Sequence, residues 1–228
     1  MRIEGLLSID EAAQRLGRSP QAVRQMAASG ELDAVRRGRQ WWLDERAVER
    51  RRREPRGRGR ALSPEVAWSV LFLASGDRDW ARRVAAEPHQ PSRAARWLRD
   101  HELSADAPRL RGRARRERFA AHPSEITRLL ARGDVMPTGI SAAEEIGLHG
   151  GSEAAEFYAP DSARLTLVDT HALEAEDGGV LARWVPSALW STVVSASAPR
   201  AAVRLDLLEN DDPRARREAT RALELVDE

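Results

Sequence analysis

The first fifty residues carry a run of helix signals that leaves few alternative folds for this part of the chain. Ser8 and Glu11 have the spacing of a capping box, in which a hydroxyl and a carboxylate each satisfy a free backbone amide of the first turn. Gly17 is placed to end that helix. Ser19 followed by Pro20 then begins a second helix, with an N-cap and a residue whose φ is already helical. The pattern predicts two helices joined by a tight turn.

The second helix is predicted to have two chemically different faces, because residues three and four positions apart lie on the same side of a helix. The apolar face consists of Val23, Met26 and Ala27. The opposite face consists of Gln21, Arg24, Gln25 and Ala28. One side therefore suits a hydrophobic core, and the other is free to meet a polar partner.

A basic hairpin is predicted after the two helices. Residues 32–43 read as two short extended arms around Gly38. The arginines that flank this turn are Arg36, Arg37 and Arg39. Asp44 is predicted to cap a third helix, which carries Ala47 and Val48.

Residues 7–17 and 19–24 closely resemble the excisionase and MerR-like family of DNA-binding domains. The resemblance implies a winged helix-turn-helix domain over residues 1–49, with double-stranded operator DNA as its partner. It places the second helix in the major groove, where Gln and Arg distinguish adenine from guanine edges. The implied base readers are Ser19, Gln21, Arg24 and Gln25. The implied backbone or minor-groove contacts are Arg36, Arg37 and Arg39. The alternative is that these are only solvated polar faces of a small helical domain.

Residues 50–60 contain arginine, glycine and proline but no apolar residue that would anchor them in a core, and they are predicted to be a linker. Within them, Pro55 to Arg58 has the form of an AT-hook core, in which Arg56 and Arg58 would lie along a narrow minor groove. The alternative is a solvated tether that does not contact DNA.

Charge is distributed unevenly along the chain. All 37 basic residues are arginine, and 29 of them precede residue 133 together with 18 acidic residues, which gives a net charge of +11. The remaining residues contain 8 arginines and 18 acids, for a net −10. This asymmetry favours an N-terminal part that faces nucleic acid and a C-terminal part that avoids phosphate.

The rest of the chain is predicted to contain a helical middle segment, residues 61–110, and an α+β domain, residues 111–228. The overall fold class is therefore α+β. Ser63 and Pro64 begin a helix that is apolar nearly all round and is expected to be central to a core. Residues 172–176 and 180–185 flank Asp177-Gly178-Gly179, a signal for a β-hairpin. The arginines of residues 109–118 have two interpretations: a second DNA-contacting surface, or ion pairs with acidic residues further along the chain.

The second half also resembles, more loosely, the C-terminal domain of abortive-infection (AbiE-type) antitoxins, the partners of nucleotidyltransferase toxins. The similar stretches are residues 118–124, 139–143, 198–208 and 212–214. Those antitoxins normally carry a different winged-helix domain, so the resemblance leaves the operator undefined. It implies autorepression of a small operon and a C-terminal part that counters the toxin.

Several classes of function are not expected. No run of about 18 apolar residues exists and no apolar stretch follows Met1, so neither a membrane span nor a signal peptide is predicted. The absence of cysteine excludes disulfides and fits a cytoplasmic protein. The predicted DNA binding would associate it with the nucleoid. Gly150-Gly151-Ser152 is similar to the opening of a nucleotidyltransferase site, but no suitably spaced pair of carboxylates follows it. We therefore predict no enzymatic activity, no cofactor and no metal.

These patterns together predict a sequence-specific DNA-binding repressor, most simply the antitoxin of a bacterial toxin–antitoxin pair. Its partners would be operator DNA, a cognate toxin and a second copy of the chain in a homodimer. One alternative is an excisionase-like recombination directionality or DNA-architectural factor. Another is a transcriptional regulator whose C-terminal domain responds to a ligand.

Overall fold

The computed structural model describes residues 5–28, 32–38, 40–53, 60–146, 154–175, 178–197, 199–210 and 213–224. We call residues 5–53 the N-terminal region and residues 60–224 the C-terminal region. The N-terminal region consists of β1 (Leu6–Ser8), α1 (Ile9–Leu16), α2 (Pro20–Ala28), β2 (Ala34–Arg37), β3 (Gln40–Asp44) and α3 (Glu45–Arg53).

The N-terminal region has a small sheet and a hydrophobic cluster of its own. β3 lies between β1 and β2 and is antiparallel to both. The cluster contains only residues of this region, among them Leu7, Ala12, Val23, Leu43 and Val48. Helix α3 continues to Arg53, so the first residues of the predicted linker are helical rather than extended. An ion pair within α3, between Arg52 Nε and Glu49 Oε2 at 2.9 Å, has the i, i+3 spacing that supports a helix.

The C-terminal region contains eight α-helices and four strands among its described residues. The helices are α4 (Pro64–Ala74), α5 (Arg78–Arg83), α6 (Gln90–Asp100), α7 (Pro123–Leu130), α8 (Arg164–Thr170), α9 (Ser187–Ser195), α10 (Arg200–Leu208) and α11 (Pro213–Glu224). The strands are β4 (Arg115–Phe119), β5 (Met136–Pro137), β6 (Ala155–Pro160) and β7 (Val180–Val185). Short 3₁₀ helices cover Ala107–Arg113, Gly139–Ile146 and Asp161–Ala163.

The sheet of the C-terminal region has the order β4-β7-β6-β5. β7 is antiparallel to β4 and parallel to β6, with Tyr158 opposite Arg183. The predicted β-hairpin around residues 177–179 is therefore wrong, since β7 pairs with two distant strands. Glu174, in the arm predicted to pair with β7, instead forms an isolated bridge to Ala120. Gly178 and Gly179 do not join two neighbouring antiparallel strands. They precede β7, which lies inside a mixed sheet.

Helix α4 is central to the C-terminal region, as its all-round apolar character predicted. Every residue from Val66 to Phe72 is buried. It shares one hydrophobic cluster with α6, α9 and α10 and with Tyr158 and Val185 on one face of the sheet. The opposite face of the sheet, through Phe157 and Trp184, packs against Ile126 and Leu129 of α7. The helical middle segment thus shares one hydrophobic cluster with α9 and α10.

The overall architecture mixes helices and sheet, as the α+β prediction requires. Residues 109–119 divide into the end of a 3₁₀ helix and the strand β4. In the part of the chain that the structure describes, no helix has the length and apolar character needed to cross a membrane.

Candidate nucleic-acid interface

Helices α1 and α2 are positioned by capping contacts at their first turns. The Ser8 amide donates to Glu11 Oε2 at 2.8 Å, and the Glu11 amide donates to Ser8 Oγ at 3.3 Å, which completes the predicted capping box. Gly17 ends α1 in the left-handed conformation, at φ +60°, which favours glycine. Because the chain turns sharply there, α2 starts only three residues after α1 ends.

Helix α2 presents the two predicted faces. Val23, Met26 and Ala27 are buried against the cluster of the N-terminal region. The exposed residues are Gln21, Arg24, Gln25 and Ala28. Ser19 is also exposed, but its Oγ accepts a hydrogen bond from the Ala22 amide at 3.2 Å, so its acceptor capacity is partly used in capping α2. Its hydroxyl hydrogen is still able to reach a base or a phosphate.

The predicted hairpin is formed by β2 and β3. Arg36 lies opposite Trp41 and Arg37 opposite Gln40, with Gly38 at φ +62° in the turn. Both arginine side chains are exposed, and the Arg36 guanidinium lies 5.9 Å from the centroid of the Trp41 ring. A guanidinium at this distance from an aromatic face is attracted to the ring, which restricts its position. Arg39 lies outside the described residues.

Helix α3 fixes α1 against the hairpin. Asp44, the last residue of β3, accepts a hydrogen bond from the Ala47 amide at 2.6 Å and caps α3, as predicted. On the neighbouring surface, Arg15 of α1 donates to Glu45 of α3 at 2.6 Å. These contacts join α1 to α3 and α3 to the end of the hairpin. Arg56 and Arg58, the predicted minor-groove residues, lie outside the described residues, as does Gly150-Gly151-Ser152.

Three of the six arginines of residues 109–118, namely Arg111, Arg113 and Arg116, form ion pairs with acidic residues further along the chain, which is the second of their two interpretations. The buried Arg113 donates to Asp206 through its NH2 and to the Tyr158 hydroxyl through Nε at 2.9 Å. Arg116 donates to Glu209 at 2.9 Å. Arg111 also contacts Glu209, at 3.2 Å. Some arginines of the positive half of the sequence therefore pair with carboxylates of the negative half inside the C-terminal region.

Two further buried groups complete this network, which we call the buried charge network: Arg111, Arg113, Arg116, Glu156, Arg183, Asp206 and Glu209. Arg183 is fully buried and reaches Glu156 at 2.8 Å and Asp206 at 3.0 Å. Burial raises the pKa of Glu156, although Arg183 partly offsets the effect. Burial acts in the same direction on Glu209, but Arg116, Arg113, Arg111 and Arg183 outweigh it and hold the pKa of that carboxyl well below its usual range.

One carboxylate of the N-terminal region contacts the C-terminal sheet directly. Asp33, just before β2, is 4% exposed, and its Oδ2 lies 3.4 Å from Arg118 Nε on β4. Its Oδ1 lies 4.0 Å from Arg116 Nε, so Arg116 stands between Asp33 and Glu209. The start of the hairpin is thereby attached to the edge strand of the large sheet. This contact was not predicted, because nothing in the local sequence around Asp33 indicates its partner.

Two further arginines, Arg18 and Arg164, were not among the predicted contacts, whereas Arg115 belongs to the predicted set in residues 109–118. Arg18 lies exposed in the turn between α1 and α2, and its position between Gly17 and Ser19 could have identified it from sequence as an exposed turn residue. Arg115 on β4 and Arg164 at the start of α8 lie beside Arg36 in a groove between the hairpin and the large sheet. Only the tertiary fold brings Arg164 there, since it is separated from the hairpin by more than a hundred residues.

Comparison with known families agrees with this geometry over the N-terminal region. The family model of a helix-turn-helix domain matches residues 6–55. Comparisons of the chain with curated proteins and with solved structures found no match. The match covers α1, α2, the hairpin and α3, and it supports a DNA-binding helix-turn-helix segment at this end of the chain.

Proposed function

We propose that this protein is a sequence-specific transcriptional repressor, the antitoxin of a bacterial toxin–antitoxin pair that represses its own operon. The observation that carries the proposal is α2, which buries its apolar face and exposes Gln21, Arg24 and Gln25 within a segment that matches a helix-turn-helix family. Glutamine and arginine carry the paired donors and acceptors that base edges require. The proposal assigns no catalytic reaction, metal or cofactor to the chain.

In this proposal, α2 enters the major groove and the β2–β3 hairpin acts as a wing. Ser19, Gln21, Arg24 and Gln25 read bases, whereas Arg36, Arg37 and Arg39 hold the phosphate backbone or the minor groove. Arg56 and Arg58 extend the contact along the adjacent minor groove. The protein works on DNA in the cytoplasm, associated with the nucleoid, and a homodimer on two half-sites doubles the base contacts of one copy.

The antitoxin role rests on the resemblance of residues 118–124, 139–143, 198–208 and 212–214 to AbiE-type antitoxins. Residues 198–208 include the whole of α10, whose Asp206 belongs to the buried charge network. Deleting this helix would leave Arg113 and Arg183 without their shared carboxylate, so a deletion would test folding rather than neutralisation. Point substitutions separate the two roles more cleanly.

The deciding experiment combines operator binding with toxin rescue. The purified protein is footprinted on the region upstream of its own coding sequence, and the chain is co-expressed with a nucleotidyltransferase encoded beside it. The wild type is expected to protect a defined operator and to restore growth. Arg24→Ala should lose repression but keep rescue, because α2 is remote in sequence from the antitoxin-like stretches.

Other results identify the alternatives. Operator protection without rescue would contradict the antitoxin role and leave a repressor. Protection only of DNA beside an integrase attachment site would instead identify an excisionase-like directionality factor. The failure of the wild type to discriminate any site from random DNA would contradict sequence-specific repression itself.

A further inference from the structure

The groove between the hairpin and the large sheet has a volume of about 290 Å³ and an excess of positive charge. Four arginines line it: Arg36, Arg115, Arg118 and Arg164. One glutamate, Glu117, lines it with them. Arg118 is paired with Asp33 at 3.4 Å, so after both acids are counted two positive charges remain in excess. We call this the interregion groove.

Glu117 holds two of these arginines side by side. Arg115 NH1 lies 2.6 Å from Glu117 Oε1, and Arg164 Nε lies 2.6 Å from Glu117 Oε2. The same carboxylate accepts a hydrogen bond from Trp184 Nε1 at 2.7 Å, which fixes its orientation. Each guanidinium has five N–H donors, and about a third of each side chain is exposed, so both retain donors that face solvent.

The groove is continuous with the hairpin surface that contacts DNA in the proposed function. Arg36 belongs to both, because it lies on β2 and also lines the groove. Trp41 lines the same wall and directs the Arg36 guanidinium. A nucleic-acid strand held at the hairpin therefore has a second cluster of cations next to it, on the C-terminal region.

We propose that the interregion groove binds the phosphodiester backbone of the DNA that flanks the operator, with Arg115 and Arg164 as the contacting residues. The inference rests on the proposed DNA-binding function and adds a contact surface outside the helix-turn-helix segment. Planar guanidinium groups match phosphate oxygens in a bidentate geometry, and such contacts add affinity without reading sequence. Asp33 has a positioning role, since its contact with Arg118 holds the two walls of the groove together.

The test measures operator affinity against salt concentration for Arg115→Gln/Arg164→Gln. Each lost phosphate contact removes about 0.9 from the slope of log affinity against log salt, so the double variant should lose about 1–2 units of slope. Its affinity should fall roughly tenfold near physiological salt. The loss should be the same on the operator and on random duplex, and the hydroxyl-radical footprint should lose backbone protection at one flank.

The matched control is Arg128→Gln/Arg221→Gln, which removes the same charge. Both side chains are more than 70% exposed, each pairs with an acid three residues away, and neither lines the groove. This variant should keep the flank protection and most of the slope. Equal losses in the two double variants would show a general effect of net charge and would overturn the proposal.

A second variant, with the opposite expected effect on DNA affinity, tests the proposal if the double variant does not fold. Glu117→Gln keeps an acceptor for Trp184 and releases both arginines from a competing negative charge. It should bind DNA about two- to fivefold more tightly, with a steeper salt dependence. Unchanged binding in this variant would overturn the proposal. So would a thermal shift of the wild type by inorganic pyrophosphate with unchanged DNA slopes, which would assign the groove to a small anion.

Failure of this inference is distinguishable from failure of the proposed function. If Arg24→Ala loses base discrimination while the groove variants and the wild type bind alike, only the groove is wrong. If the wild type discriminates no site, the repressor function itself is wrong.

Discussion

The Asp33 carboxylate, at the start of the hairpin, lies 3.4 Å from the guanidinium Nε of Arg118, on the edge strand of the large sheet. These residues are 85 positions apart, and their chain neighbours Leu32 and Phe119 belong to different hydrophobic clusters. Asp33 is almost fully buried, so the contact is made away from water, where an unpaired charge is costly. The arrangement couples the position of the hairpin to the C-terminal sheet.

Replacing Asp33 with Asn is expected to lower the free energy of unfolding by about 1–3 kcal/mol, because Arg118 loses its buried anionic partner. Urea unfolding followed by tryptophan fluorescence measures the change. Asp79→Asn is the control, since Asp79 is 83% exposed and its pair with Arg82, at 3.4 Å, should contribute almost nothing. Equal stability of the two variants would contradict the role of Asp33.

Arg24→Ala is expected to cost about 1–3 kcal/mol of binding free energy at one base position and to relax specificity there. The physical reason is the loss of a forked donor on the exposed face of α2. Binding to a panel of single-base operator variants measures it. Arg96→Ala, an exposed arginine on α6, should leave the whole panel unchanged. A uniform loss over the panel would instead identify Arg24 as a phosphate contact.

Arg36→Gln and Arg37→Gln are expected to weaken operator binding without changing base preference. If each side chain contacts one phosphate, each substitution should reduce the salt slope by about 0.9. Arg36→Gln should weaken binding more than Arg37→Gln, because Arg36 also lines the interregion groove. Titrations at several salt concentrations on operator and random duplex provide the measurement. A loss confined to the operator would mean that these arginines read bases.

Glu209→Gln is expected to destabilise the protein by about 3–5 kcal/mol at pH 7, since the buried arginines around it lose their shared carboxylate. Because the folded pKa of Glu209 is depressed, its stabilising contribution is present above the ordinary value near 4.5 and is lost as the pH falls toward the lowered one. The stability difference between wild type and variant should therefore shrink below about pH 4.5.

Glu218→Gln is the control for this pH series. Glu218 pairs with Arg221 on the surface of α11 at 3.3 Å and should give a small difference at every pH. Glu156 has a raised pKa and so an opposite pH dependence, but it is present in both proteins and should largely cancel in the comparison. A difference that grows on acidification would contradict the ion pairing of Glu209.

The helix ends and the two faces of α2 could be predicted from sequence, because the residues that determine them lie within a few positions of each other. Ser8 with Glu11, Gly17 and Asp44 each act on a neighbouring helix end, and α2 follows the 3.6-residue period. The polar face of α2 could be identified for the same reason. Its role in base recognition stays a prediction, as do the domain boundaries at residues 49, 60 and 110.

The strand pairing and the ion pairs between distant residues could not be predicted from sequence. The glycines just before β7 favoured a hairpin with the preceding segment. The actual partners of β7, β4 and β6, are set by packing on both faces of the sheet. The partners of Arg113 and Arg116 lie 93 residues away, and nothing near either arginine specifies them. For the same reason, Arg164 was not recognised as a neighbour of Arg36.

The buried charge network has a consequence for synthesis on the ribosome. Its arginines at 113 and 183 are translated well before the carboxylates at 206 and 209 that neutralise them. A nascent chain therefore cannot bury these guanidinium groups until α10 has left the exit tunnel, whereas the hydrophobic cluster of residues 7–48 is complete much earlier. Translation thus releases a helix-turn-helix segment first. A message broken before codon 206 would encode residues 7–48 but neither of the carboxylates, Asp206 and Glu209, that pair with these arginines.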